Sequence, residues 1–200
     1  MIIGVDCDGV LTDMSAYIFH YGEKWFRHKP ENPDALETRD IFNCTKYQEF
    51  LFGLKYFFTY CKKWKPRKYA NPAINKLKKD GHKIYQITAR KFATKNNPLG
   101  IYSRYIHKKW LKENKFDFDG IFYCSESHGG ADKLKGIRHF SADVMIDDRP
   151  DISIYLAEKG IKVLLFDTRY NKNISHENIT RVSDWKDVYR KISEMQKNFK

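Results

Sequence analysis

No apolar run in this chain of 200 residues approaches the roughly 18 residues of a membrane-crossing helix, and the first stretch, Met1 to Val5, is interrupted at Gly4 and ends at Asp6. A soluble, cytoplasmic protein without a membrane partner is therefore expected. Cysteine is scarce: Cys7, Cys44, Cys61 and Cys124 lie far apart with no C-x-x-C spacing, which argues against a disulfide framework. They read as reduced thiols. Cys7 sits between two aspartates that disfavour its thiolate, so it reads as a small half-buried filler rather than a nucleophile. There is no internal repeat and no low-complexity tract, and a hydrophobic content of 42% excludes a disordered or fibrous chain. Acidic residues are outnumbered, 25 against 37 Lys and Arg, for a net charge of +12. Such a balance favours an anionic partner without choosing among nucleic acid, a phosphorylated metabolite and a charged surface, and a merely solvated basic exterior explains it equally well.

Short apolar runs recur at Ile2 to Val5, Ile84 to Ile87, Ile121 to Tyr123, Val144 to Ile146 and Val163 to Phe166. Each ends near a polar residue or a turn, as buried strands do. Helical patterns lie between them. Asn71 is placed to cap one helix, with Pro72 at its first position and Gly81 beyond its end, and Leu99, Tyr102, Ile106 and Trp110 share a face of the next. A third runs from Asp151, read as its cap, to Lys159. Asp184 caps a last one striped by Trp185, Val188, Ile192 and Met195. Alternating strands and helices imply an α/β fold with a doubly wound parallel sheet.

Residues 14–68 break the alternation, with no clear strand, crowded aromatic rings and a Pro/Asn break from Pro30 to Pro33. They read as a helical insertion, which leaves 1–13 and 69–200 as the α/β core. Its rings fall in two groups, Tyr17 to Phe26 and Phe50 to Tyr60, and packing of the insertion's own core is the simplest use for most of them. The basic run Lys62 to Lys68 reads as the exposed return hinge.

Ligands of doubly wound sheets bind beyond the carboxyl ends of the strands, so polar residues that follow apolar runs are the candidates. The first strand ends in Asp6-Cys7-Asp8-Gly9, the second in Thr88-Ala89-Arg90, and the fourth in Asp147-Asp148-Arg149-Pro150-Asp151; Lys133 lies just upstream of the fourth. Asp6 and Asp8, one residue apart, can face the same side of an extended segment, and a turn at Gly9 can aim amides at an anion. Adding Asp147 and Asp148 brings like charges together that repel by roughly 4 kcal/mol per pair at an effective dielectric near 20. A divalent cation relieves that repulsion, and an all-oxygen set suits Mg²⁺ rather than zinc. Thr88 can donate to a phosphoryl oxygen, and Lys133 can neutralise a nucleophile and developing charge. Lys135 competes with Lys133 for that role, and Arg90 either contacts substrate or makes a structural salt bridge.

These residues resemble the four motifs of the haloacid dehalogenase superfamily of aspartyl-phosphate enzymes, over the whole framework except the insertion. The resemblance implies that Asp6 attacks phosphorus, Asp8 protonates the leaving oxygen and then activates water, and Thr88 and Lys133 hold the phosphoryl group. It implies that Mg²⁺ is bound by Asp6, the Asp8 carbonyl and Asp147, with Asp148 a neighbouring carboxylate; which of the adjacent pair coordinates directly stays open. Residues 14–68 fall where the superfamily inserts its helical cap. Asp6 to Asp13 (DCDGVLTD), Ile146 to Asp151 (IDDRPD) and Phe166 to Asn171 are similar to the 5'(3')-deoxyribonucleotidases and their bacterial nucleotidase relatives. That narrower resemblance implies a nucleoside monophosphate as substrate, with Arg90, Tyr17, Phe19, Trp25 and Phe26 as candidate contacts. Another small phosphoester or a nucleic-acid end is the alternative. A noncatalytic binding module is disfavoured, because every chemical group the reaction needs is present.

Overall fold

The computed structural model describes residues 1–125 and 128–198. Six parallel strands form one sheet in the order β3-β2-β1-β4-β5-β6, with β1 Ile2–Val5, β2 Lys83–Ala89, β3 Gly120–Cys124, β4 Val144–Asp147, β5 Lys162–Phe166 and β6 Ile179–Val182. Ile3, Val5, Ile84, Val144, Ile146, Leu164 and Phe166 face one side of it. There they pack against α4 (Ala70–Lys79), α5 (Pro98–Glu113) and α8 (Trp185–Asn198). Ile87, Met145 and Val163 face the other side, against α6 (Gly129–Phe140) and α7 (Pro150–Glu158). Burial on both faces explains why the central strands are continuous apolar runs. Each fully buried Val, Leu or Ile among them contributes about 1.5–3 kcal/mol, which outweighs the weak strand propensity of Gly4 in β1.

Residues 14–63 contain α1 (Met14–Phe26), α2 (Thr38–Ile41) and α3 (Lys46–Lys63), and no strand. Asp13 caps α1 by accepting from the Ala16 amide, and Thr45 with Gln48 closes a capping box on α3. Tyr17, Tyr60, Cys61 and Ile106 form a third buried cluster, which joins α1 and α3 to α5. The basic run after α3 is anchored rather than free. The Trp64 indole donates to the Asp13 carbonyl, Arg67 binds the Gly9 carbonyl and the Asp13 carboxylate, and Pro66 bridges Thr12. No helix among the described residues is long and apolar enough to cross a membrane.

Several local expectations change. Tyr69, not Asn71, is the N-cap of α4, and the Asn71 amide turns outward to the carbonyl of Asn114. The buried face of α5 is Gly100, Ser103, Ile106, His107, Trp110 and Leu111, rotated from the expected stripe, so Leu99 and Tyr102 are exposed. Arg149 occupies the N-cap of α7 with Pro150 at its first position, and Asp151 in the first turn grips Arg149 instead of capping. Cys7 is fully buried rather than half-buried. Asp184 does cap α8, accepting from the Lys186 and Asp187 amides.

Candidate active site

β1 delivers Asp6 to the carboxyl edge of the sheet, and the chain turns there through Gly9 at φ +89°. A Cβ on Gly9 would lie 1.9 Å from a carboxylate oxygen of Asp148, so glycine is required both for the turn and for the approach of β4's end. β4 adds Asp147 and Asp148, and Lys133 reaches in from α6; all four side chains are buried. Oxygens of Asp6, Asp147 and Asp148 come within 4.8 Å of one another. The Lys133 ammonium is 3.2 Å from Asp6 Oδ1 and hydrogen bonds to Asp147 Oδ2. Lys135, by contrast, is exposed and pairs with Asp132.

The adjacent aspartates are differently engaged. Asp147 Oδ1 accepts the amides of Asp148 and Arg149, each at 3.0 Å, and its other oxygen is held by Lys133. Asp148 Oδ2 accepts from the Tyr170 hydroxyl, whereas Asp148 Oδ1 is buried without a partner and Asp6 Oδ1 has only the ion pair with Lys133. Three carboxylates thus share one ammonium, and their protonation follows. Burial raises the Asp6 carboxyl to about 6 despite Lys133. Burial, reinforced by Asp147 and Asp6, raises Asp148 to about 8. Burial opposes the charge of Lys133, but Asp147 and Asp6 outweigh it and keep the ammonium protonated. An unpartnered Asp148 oxygen and an Asp6 oxygen matched only by a shared ammonium, both buried beside excess negative charge, fit a hard divalent cation.

Asp8 stands apart from that cluster. Its Oδ1 accepts from the Tyr60 hydroxyl of α3 at 2.7 Å and from Arg90 at 3.1 Å. Arg90 is therefore a salt-bridge partner of Asp8, buried against the thiols of Cys7 and Cys61. Thr88, at the end of β2, is fully buried with an unpartnered hydroxyl, while the next residue, Ala89, lines the cavity above Asp6.

This cavity, about 590 Å³, has Asp6, Asp8, Lys133 and Asp148 at its base and Ile18, Leu36, Glu37 and Arg149 around it. A second cavity of about 380 Å³ shares Met14, Ile18 and Thr38 with the first and is lined by Tyr17, Phe50, Tyr56 and Phe57. Phe19, Trp25 and Phe26 line neither. Phe26 stacks on Phe42 and packs against Phe52, Trp25 meets Tyr56 and Lys55, and Phe19 lies under the Arg169 guanidinium. Tyr17 is mostly packed among Tyr21, Tyr60 and Trp64. Tyr60 and Tyr170 are both bound to aspartates of the site; Tyr60 is one ring within an aromatic helix, and Tyr170 lies in the Phe166 to Asn171 stretch that carries the resemblance, with no role assigned to it.

The fold is shared with haloacid dehalogenase-like hydrolases of known structure. Among solved structures, a D,D-heptose 1,7-bisphosphate phosphatase from B. bronchiseptica, complexed with magnesium and phosphate, superposes with a TM-score of 0.57 at 13% identity, covering 97% of this chain and 98% of that one. A β-phosphoglucomutase from Clostridium difficile matches at 0.59 and 12%, over 100% and 99%. The chain belongs to the family described as 5' nucleotidase, deoxy (pyrimidine), cytosolic type C, whose sequence profile matches residues 1–198. A nucleotidase of Clostridium acetobutylicum is 28% identical over 189 residues, 94% of this chain and 91% of its own. The chain is accordingly a phosphoric monoester hydrolase of the 5'-nucleotidase type.

Proposed function

We propose that the protein is a Mg²⁺-dependent phosphatase that hydrolyses (deoxy)ribonucleoside monophosphates in the cytoplasm through a phosphate ester on Asp6. The observation that carries this reading is the buried, unpartnered oxygen of Asp148, whose carboxylate comes within 4.8 Å of that of Asp6; the buried Oδ1 of Asp6 is matched only by the Lys133 ammonium. Asp6, Asp148 and the Asp8 backbone carbonyl would hold the cation. Asp147 is engaged by Lys133 and two amides, so its part is to fix the ammonium. When bound, Mg²⁺ supplies positive charge opposite the phosphoryl oxygens.

In the first step an Asp6 carboxylate oxygen bonds to phosphorus as the ester P–O bond breaks, and Asp8 gives its proton to the departing alcohol oxygen. In the second, water attacks the same phosphorus, Asp8 takes back a proton, and the bond between Asp6 and phosphorus breaks to release phosphate. Lys133, held beside the nucleophile, offsets charge on the equatorial oxygens. The Thr88 hydroxyl, unpartnered and buried, is a donor for one of those oxygens if the strand end opens towards the cavity. Residues 14–68 act as the cap over the leaving group. The second cavity, with Phe50, Tyr56 and Phe57, is where a base stacks, at about 1–3 kcal/mol per ring.

The test is phosphate release from a panel of nucleoside monophosphates, sugar phosphates and 5'- or 3'-phosphorylated oligonucleotides. Nucleotides are expected to lead, and turnover is expected to vanish with a chelator; full turnover in excess chelator refutes the metal, and sugar phosphates leading refutes the substrate. Phe57→Ala should cost a nucleotide more than an aryl phosphate, whereas equal losses would mean that the ring only packs α3.

Cation affinity should depend on pH with a fixed sign. Asp148 and Asp6 bind protons in the metal-free protein up to about 8 and 6. A cation must displace those protons, so affinity is full above the upper value and is lost as pH falls. Titration calorimetry with Mg²⁺ should show the dissociation constant rising by up to about tenfold for each pH unit below that value. A flat profile between pH 8 and pH 6 would show that these carboxylates do not bind the ion.

A further inference from the structure

We infer that Tyr60 is a positioning residue for the acid–base aspartate: together with Arg90 it fixes Oδ1 of Asp8, so that proton transfer falls to Oδ2. The inference rests on the proposed role of Asp8 and adds to it a residue from the inserted helices. The Tyr60 hydroxyl donates to Asp8 Oδ1 at 2.7 Å, and Arg90, which follows β2 and lies over the Tyr60 ring, donates to the same oxygen at 3.1 Å. No hydrogen bond among the described residues engages Oδ2, and Asp8 lines the cavity above Asp6. An oxygen that already accepts two donors is a poor place for a further proton. The carboxyl group must rotate less than a free one to present its other oxygen to a leaving group, and both donors resist that rotation.

Tyr60 is itself held. Its oxygen accepts from the Thr12 hydroxyl, which leaves its own proton for Asp8, and its ring packs against Tyr17 in the buried cluster. Burial, with Asp8 close by, pushes its phenol well above the ordinary value, so it remains a donor. The end of α3 that carries it is tied to the start of α1 and to α5 by Trp64, whose indole donates to the Asp13 carbonyl and whose carbonyl accepts from the Trp110 indole. The helix that supplies the second cavity's rings therefore also sets the orientation of Asp8.

The experiment compares Tyr60→Phe with the wild-type chain in the first turnover, measuring release of the leaving group from a nucleoside 5'-monophosphate and from p-nitrophenyl phosphate. The sugar alcohol needs a proton to depart, and the nitrophenolate does not. Tyr60→Phe should slow the nucleotide's first turnover about 10- to 100-fold while p-nitrophenyl phosphate changes less than about threefold, with little change in KM for either. Arg90→Lys, which keeps a charge but loses the fork, should show the same leaving-group split. Equal slowing with both substrates, an effect confined to KM, or wild-type rates would overturn the inference. Failure of the underlying reading looks different, because Asp8→Asn would then lack the leaving-group split as well.

Discussion

Asp6→Asn is expected to lower turnover by about four orders of magnitude or more and to leave no phosphate on the protein, because the amide removes the nucleophilic oxygen while preserving shape. Asp8→Asn should fail in the opposite way. It retains Asp6 and Lys133 at 3.2 Å but cannot take a proton from water, so with an aryl phosphate the phosphoenzyme should accumulate. Mass spectrometry after a rapid acid quench separates the two, with one added phosphoryl group on Asp6 in the second variant and none in the first. Phosphate on a histidine or serine, or wild-type turnover by Asp6→Asn, would end the assignment.

Lys133→Met should cost about 3–5 kcal/mol of stability as well as activity, since it strands the buried carboxylates of Asp6 and Asp147 without their shared cation. Urea unfolding of the metal-free variant measures this. Lys135→Met is the internal comparison. Its ammonium is exposed and pairs only with Asp132, so the loss there should stay within about 0.5 kcal/mol. Similar losses in both variants would mean that the buried cation is not what compensates the cluster.

The sheet was legible because parallel strands covered on both faces spell themselves as apolar runs, and because each of three such runs ended in the carboxylates or hydroxyl now found at one edge. β6 escaped for the converse reason. It is an edge strand, Ile-Thr-Arg-Val, paired only with β5 and buried only at Val182, so its pattern lacks an apolar run. The turn of α5 was misplaced because its buried face accepts Gly100, Ser103 and His107, three residues that a hydropathy pattern leaves out. At the site, the resemblance put the cation on Asp147 and left open which of the adjacent pair coordinates directly, and their division of labour depends on Lys133 and Tyr170, which arrive from other parts of the chain, as well as on the amides of Asp148 and Arg149. Tyr60 was just one ring among many until α3 was seen to end beside Asp8, 52 residues away.

The position of β1 in the sheet has a consequence for how the chain is made. It precedes the other five strands of the sheet in sequence, yet it lies between β2 and β4, so one of its edges waits for Lys83 and the other for Val144 to emerge. The loop that follows it waits longer still, because the Val10 carbonyl is capped by the indole of Trp185, a contact spanning 175 residues. Pairings so distant in sequence close slowly, and until they do the strand edges and apolar faces invite association with other chains. A growing polypeptide on the ribosome therefore carries Asp6 and Asp8 long before Lys133, Asp147 and Asp148 can join them.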